Sequence, residues 1–236
     1  MRLIKYNLGY YLRTPKYLPP LLLFAAFFAI NYQVSPVGIW SNLHIVSIAV
    51  FILANWIGAS LIDSEDVTQQ FITRLHVQNE RLFHGAKIAS ALIFAAPLYI
   101  LIALYPMVAG LFPRSLLFGE ILVYFIVLFL MSLLGVSIGI FFNSYFLNKE
   151  MKVLAHLIVV LITAIPLNVV FEDNLLVVYL YYLLPPVNFL ADRLYGLNDG
   201  VFLLDFNFWV FVAYALGYSL ALIGIYIFAI QRKNKK

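Results

Sequence analysis

Few residues in this chain could do chemistry, and their spacing excludes most kinds of it. The four histidines, His44, His76, His84 and His156, are scattered and form neither H-E-x-x-H nor another metal-ligand spacing. There is no cysteine, hence no disulfide and no thiolate metal site. A G-x-x-x-x-G-K-S/T phosphate loop is missing, so this chain supplies no usual ATP site. No G-x-S-x-G elbow occurs either. Glu120 stands next to Arg114 at the end of an apolar run, where it is expected as a solvated interfacial carboxylate. The polar stretch from Asp63 to Lys87, DSEDVTQQFITRLHVQNERLFHGAK, carries more information. Asp63 or Ser64 can cap a helix there, with Glu65 and Asp66 in its first turn and Arg74 and His76 near its end. That order of charges suits the helix dipole. Val67, Phe71 and Leu75 recur every four residues, widened by Ile72, so the spacing predicts an amphipathic helix over Asp63–Val77. Such a helix either rests on lipid or docks a soluble partner.

The elements that must position these residues are membrane helices. Of 236 residues 64% are hydrophobic and 11% charged, against about 25% charged in soluble domains. Ile88–Pro113, Ile121–Asn148, Val153–Phe171, Asn174–Ala191 and Phe206–Gln231 carry no charge, nor does the long run from Tyr17 to Ile62. A transmembrane helix needs about 20 such residues. Soluble enzymes, nucleic-acid modules, disordered chains and secreted disulfide scaffolds are thereby excluded. Asn31, Ser35, Pro36 and Gly38 place a turn at Asn31–Gly38. Arg2, Lys5, Arg13, Lys16, Arg74, Arg81, Lys87, Lys149, Lys152, Arg232, Lys233, Lys235 and Lys236 then share one side, with Arg114 and Arg193 on the other. The positive-inside bias makes that side cytoplasmic, with both termini on it.

An even number of spans follows, and six fit: Tyr17–Tyr32, Leu43–Ile62, Ile88–Leu111, Ile121–Phe142, Val153–Phe171 and Phe208–Ile230. Asn174–Ala191 is broken by Leu184-Pro185-Pro186 and is expected as a re-entrant or interfacial hairpin, within an outer segment over residues 172–206. The first 14 residues, MRLIKYNLGYYLRT, lack the apolar core and cleavage site expected of a removable signal peptide. Ile4, Leu8, Tyr11 and Leu12 share one helical face and Arg2, Lys5, Gly9 and Arg13 another, which predicts an interfacial amphipathic helix ending at Thr14-Pro15. The expected fold is an all-α membrane protein forming a single transmembrane domain over 1–236, in a cell membrane.

Inside the spans, charge is missing from every midpoint, which removes the usual mark of a proton or ion relay. Asn55 in the second span and Thr163 and Asn168 in the fifth are the mid-membrane polar residues that line a path or hydrogen-bond between helices. Pro166 is expected to kink the fifth span. Gly135 and Gly139 follow Ser132 in the fourth, and Ala213, Gly217, Ala221 and Gly224 form a stripe in the last. Small-residue stripes let helices approach closely, here within one subunit or at a dimer seam.

The Asp63–Lys87 stretch resembles the first cytoplasmic loop of type-2 ABC transporter permeases. The order is an acidic pair, Glu65 and Asp66, then Thr68, Gln69 and Gln70, the apolar pair Phe71 and Ile72, Arg74 and Leu75, Arg81, and Lys87 opening the next span. Val67 stands where the family has Gly. Leu183–Gly196, LLPPVNFLADRLYG, resembles the family's outer segment before the last span. The resemblance spans the whole chain in topology and about 25 residues in motif. It implies that Glu65, Asp66, Thr68, Gln69, Phe71, Ile72, Arg74 and Leu75 form a coupling helix on a separate ATPase dimer that binds ATP and Mg, with Asn148, Lys149 and Glu150 of the second loop as a lesser contact. It also implies a second permease chain, identical or different, and a transport subunit that is not itself an enzyme. A path without fixed charge suits amphipathic or hydrophobic cargo, such as an antimicrobial peptide or bacteriocin, for export or self-immunity, or a lipid-like drug. The alternatives from the residues alone are a non-transporting membrane scaffold or a small channel, with a membrane enzyme disfavoured for want of a catalytic constellation.

Overall fold

A computed structural model describes residues 2–144, 146–164, 187 and 206–233. Among the described residues the chain is all-helical. The helices are α1 (Arg2–Arg13), α2 (Leu18–Asn31), α3 (Ile39–Ile62), α4 (Val67–Val77), α5 (Glu80–Val108), α6 (Phe118–Gly139), α7 (Lys149–Ala164) and α8 (Phe206–Lys233). Four are long and apolar enough to cross a membrane: α3, α5, α6 and residues Phe206–Arg232 of α8. The composition and these helices make it a membrane protein. Helix α2 has 14 residues, about 21 Å at 1.5 Å per residue and short of a ~30 Å hydrocarbon core. Helix α7 has 16 residues up to Ala164, likewise short. Pro166, Asn168 and nearly all of the expected outer hairpin lie outside the described residues.

Because lipid is as apolar as leucine, membrane helices are held together by close packing rather than by burial from water. The α3–α6 seam illustrates this. A Cβ added at Gly139 would lie 2.0 Å from the Asn55 carbonyl oxygen, and one at Gly135 would lie 2.3 Å from that of Phe51. On the opposite side, a Cβ at Gly58 would meet the Val136 carbonyl at 3.0 Å. Around these backbone contacts, Leu43, Val46 and Phe51 of α3 interlock with Val127, Leu128, Met131 and Leu134 of α6, all fully buried. The α6 stripe thus packs within one chain. On the α8 stripe Ala213, Gly217, Ala221 and Gly224 are exposed, and nothing among the described residues lies within 4 Å of a Cβ at Gly217 or Gly224.

Two expectations change at the helix ends. On α1 the buried residues are Asn7 and Tyr11, while Leu12 is exposed beside Arg2, Lys5 and Arg13. Tyr11 turns inward because its ring packs edge-on against Phe94 of α5 and its hydroxyl hydrogen-bonds Ser60 of α3 at 2.6 Å. Burial pushes the Tyr11 phenol up to about 12, opposed by the Ser60 bond. Helix α1 is therefore seated on the bundle as well as amphipathic. Glu120 is buried at 2% exposure rather than solvated. Arg114 clamps both its oxygens, at 2.7 and 2.8 Å, and the Leu117 N–H donates at 2.8 Å. A bidentate, charge-assisted pair supplies what water would have supplied.

Candidate coupling surface and cavity

Helix α4 begins at Val67, four residues later than the sequence pattern suggested. Asp66 occupies its N-cap position without a side-chain bond, and Asp63 instead closes α3. This frees Glu65 from the first turn. Glu65 lies buried with its carboxylate 2.8 Å from the Lys87 ammonium, both side chains 1% exposed. Lys87 also donates to the Ile62 carbonyl at 3.0 Å and sits 4.9 Å from the Phe83 ring centre. Thr73 of α4 donates to the Glu65 carboxylate, and Gln70 donates to the Glu65 carbonyl at 3.0 Å. Losing one member of a buried ion pair typically costs about 3–5 kcal/mol, since the other is left charged in low dielectric. The pair therefore fixes the foot of α3, the start of α4 and the start of α5 as one unit.

Helix α4 is held on its other sides by Gln69, which donates to the Tyr6 hydroxyl at 3.1 Å, and by Arg74, paired with Glu80 at 2.9 Å. It ends at Gln78, whose φ of 55° is the left-handed conformation of a helix cap, its N–H donating to the Arg74 carbonyl at 3.0 Å. Asn79 then starts α5 by accepting from the Arg81 and Leu82 N–H groups. With these contacts made inward, the apolar residues are left outward. Phe71, Ile72 and Leu75 are 62%, 45% and 60% exposed. Phe71 and Leu75, with Arg74, Gln78, Asn79, Glu80 and Phe83, border a depression of about 530 Å³ between α4 and α5. Asp66 and Thr68 are also exposed, on the first turn.

The second loop is joined to the first through Asp63. Its carboxylate accepts the Ser144 N–H and Ser144 hydroxyl, each at 2.9 Å, and pairs with the Lys152 ammonium. Asn148 and Glu150 are exposed on that loop, and the Asn148 carbonyl accepts from the Lys152 N–H at 3.0 Å. Lys149 opens α7.

The expected path residues divide. Asn55 is 2% exposed on α3, and its amide Nδ2 has no hydrogen-bond partner among the described residues. It borders a cavity of about 420 Å³ between α2, α3 and α7, together with Trp56, Phe142, His156 and Val160. Thr163 lies on α7, the helix that forms the far wall. Asn168 lies outside the described residues. Sequence reasoning took Asp63 only as a helix cap, Lys152 only as one of the basic residues sharing a side and His156 only as a scattered histidine, and did not single out Thr73; for Lys152 and His156 the i, i+4 spacing, which puts both on one face of α7, was an available signal. Comparison with family models, with curated proteins and with solved structures finds no match for this chain.

Proposed function

We propose that this chain is the transmembrane permease subunit of an ATP-driven ABC exporter, with six spans, cytoplasmic termini and an outer re-entrant hairpin. In this reading two such chains pair with two ATPase chains that bind ATP and Mg. The cargo is an amphipathic or hydrophobic molecule, a peptide such as a bacteriocin or other antimicrobial peptide, or a lipid-like drug. The observation that carries the reading is the state of α4. It is a short helix locked to the bundle by a buried ion pair, yet it presents Phe71, Ile72 and Leu75 outward beside a depression. A helix resting on its own lipid face needs no such anchor, whereas a lever that transmits force needs one end fixed and one face free for its partner.

Two further features support the reading. Asp63 binds the second loop to the first, so displacement at α4 reaches the start of α7 and the cavity that Asn55 borders. The small-residue stripe of α8, which has no close neighbour at Gly217 or Gly224 among the described residues, suits close approach of another helix, as a paired permease requires. The test is Phe71→Ala in the complex purified with its ATPase. Removing an interfacial hot spot weakens binding by roughly 30- to 1000-fold, about 2–4 kcal/mol. The ATPase is expected to be stripped, or its hydrolysis uncoupled from transport, with the spans still folded. Retention, hydrolysis and transport all at wild-type level would defeat the reading. Phe146→Ala, in the second loop, is expected to do less.

A further inference from the structure

The cavity between α2, α3 and α7 has one charged end and one apolar end. Its walls are Leu23 of α2, Ile52, Trp56 and Ala59 of α3, and Val153, Leu157 and Val160 of α7. Its volume of about 420 Å³ falls at the small end of ligand sites, which run from about 300 to 1,000 Å³. Among the described residues, only Asp63 and Lys152 bring formal charge to its lining. Beside them, Lys16 donates its ammonium to the Asp63 carbonyl at 2.5 Å and to the Ser64 carbonyl at 3.5 Å. The mouth therefore holds two ammonium groups and one carboxylate, with Lys152 on the Asp63 carboxylate and Lys16 on backbone carbonyls. The neighbouring Glu65 is already matched by Lys87, and Lys149 and Glu150 cancel in formal charge.

The hydrogen bonds decide which partner can be released. Asp63 keeps the Ser144 N–H and hydroxyl if Lys152 leaves. Lys152 is the movable member, with a long flexible stem that still reaches the Ser144 oxygen at 2.5 Å. Lys16 uses backbone carbonyls only, and its side chain is exposed. An incoming anion therefore gains two ammonium partners and leaves no buried carboxylate stranded. An incoming cation would have to take Asp63 and leave Lys152 with a single neutral acceptor.

We infer that this cavity is a binding site for an anionic phospholipid, with the headgroup at Lys16 and Lys152 and one acyl chain along Trp56, Leu157 and Val160. The inference goes beyond the transport reading and rests on it only for the leaflet, the cytoplasmic one, from which the lipid comes. The deep polar atoms are compatible with an apolar tail, since Asn55 Nδ2 and His156 Nε2 are themselves buried, the His156 ring between Trp56 and Phe142.

The experiment uses the whole chain, without any ATPase, in vesicles. Trp40 and Trp209 are replaced by Phe, so Trp56 alone reports, and the acyl chains carry bromine as a contact quencher. Brominated phosphatidylglycerol is compared with brominated phosphatidylcholine at matched mole fraction. The anionic lipid is expected to quench Trp56 with roughly a five-fold preference, the ratio that one well-placed lysine near a headgroup supplies. Lys152→Gln should bring that ratio to about one, Lys152→Arg should keep it, and Lys5→Gln, on the exposed face of α1, should leave it unchanged. Should Lys152→Gln fail to fold, Lys16→Gln serves, with the preference expected to fall measurably. Equal quenching by both lipids in the unsubstituted chain overturns the inference. So does an equal loss in Lys5→Gln, which would mark bulk surface charge. Inorganic phosphate is expected not to compete; if it abolishes the preference, a free anion and not a lipid is the ligand. None of these outcomes depends on Phe71, so this site and the coupling surface stand or fall separately.

Discussion

Helix α3 meets α6 on one side and α7 on the other, and the two contacts are built on opposite principles. Against α6 the backbones nearly touch, because Gly135 and Gly139 have no Cβ to hold them apart. Against α7, whose Val153, Leu157 and Val160 line the gap, the helices stand off and a cavity of about 420 Å³ remains. Both sides are apolar, so hydrophobicity alone does not separate them. Side-chain size does, because in a membrane the gain comes from contact between surfaces rather than from leaving water. The close seam, footed by the Glu65–Lys87 pair, is suited to being a fixed frame. The loose side, joined to the frame by Asp63, is suited to being filled and moved.

That contrast can be broken from either side. The largest effect is expected at the foot of the frame, where Lys87→Met leaves Glu65 buried without its partner. It should cost about 3–5 kcal/mol, read as a lower unfolding midpoint in detergent. Adding Glu65→Gln should recover much of the loss, and a double variant as unstable as the single one would mean the pair is not coupled. Gly139→Ala comes next. Its methyl group would collide with the Asn55 carbonyl, and overpacking of this kind costs about 1–3 kcal/mol, here toward the upper end because backbone rather than a side chain must yield. Gly217→Ala on α8 supplies the internal control, with no change expected in the isolated chain, since no described atom lies near. Asn79→Ala, which removes the two cap bonds of α5, should cost about 1 kcal/mol. Apart from that control, the smallest effect is expected on the loose side. Val160→Leu places one more methylene group at the cavity, and its midpoint should shift by no more than about 0.5 kcal/mol equivalent. If Val160→Leu proved as damaging as Gly139→Ala, the two sides of α3 would not differ as described.

The sequence by itself determined that this is a helical membrane protein. It also placed the helices now seen as α3, α5, α6 and most of α8, since uncharged runs of this length have few other solutions. Phe71, Ile72 and Leu75 were legible as one face of a short helix because the 3.6-residue period is a property of the chain alone. The start of that helix was misplaced for a related reason. Asp63, Ser64 and Asp66 are all good caps, and a pattern of types does not choose among them. That choice was made by Lys87, 22 positions away from Glu65 in the chain, which draws its carboxylate out of the helix and into the bundle. Glu120 was misread in the same way, since exposure depends on whether Arg114 folds back onto it. Two stripes of small residues that look alike as sequence turned out differently, the α6 stripe packed on α3 and the α8 stripe without a close neighbour among the described residues. Tertiary structure decided pairing, burial and free space, because each depends on what another segment brings near, and no local period or composition carries that information.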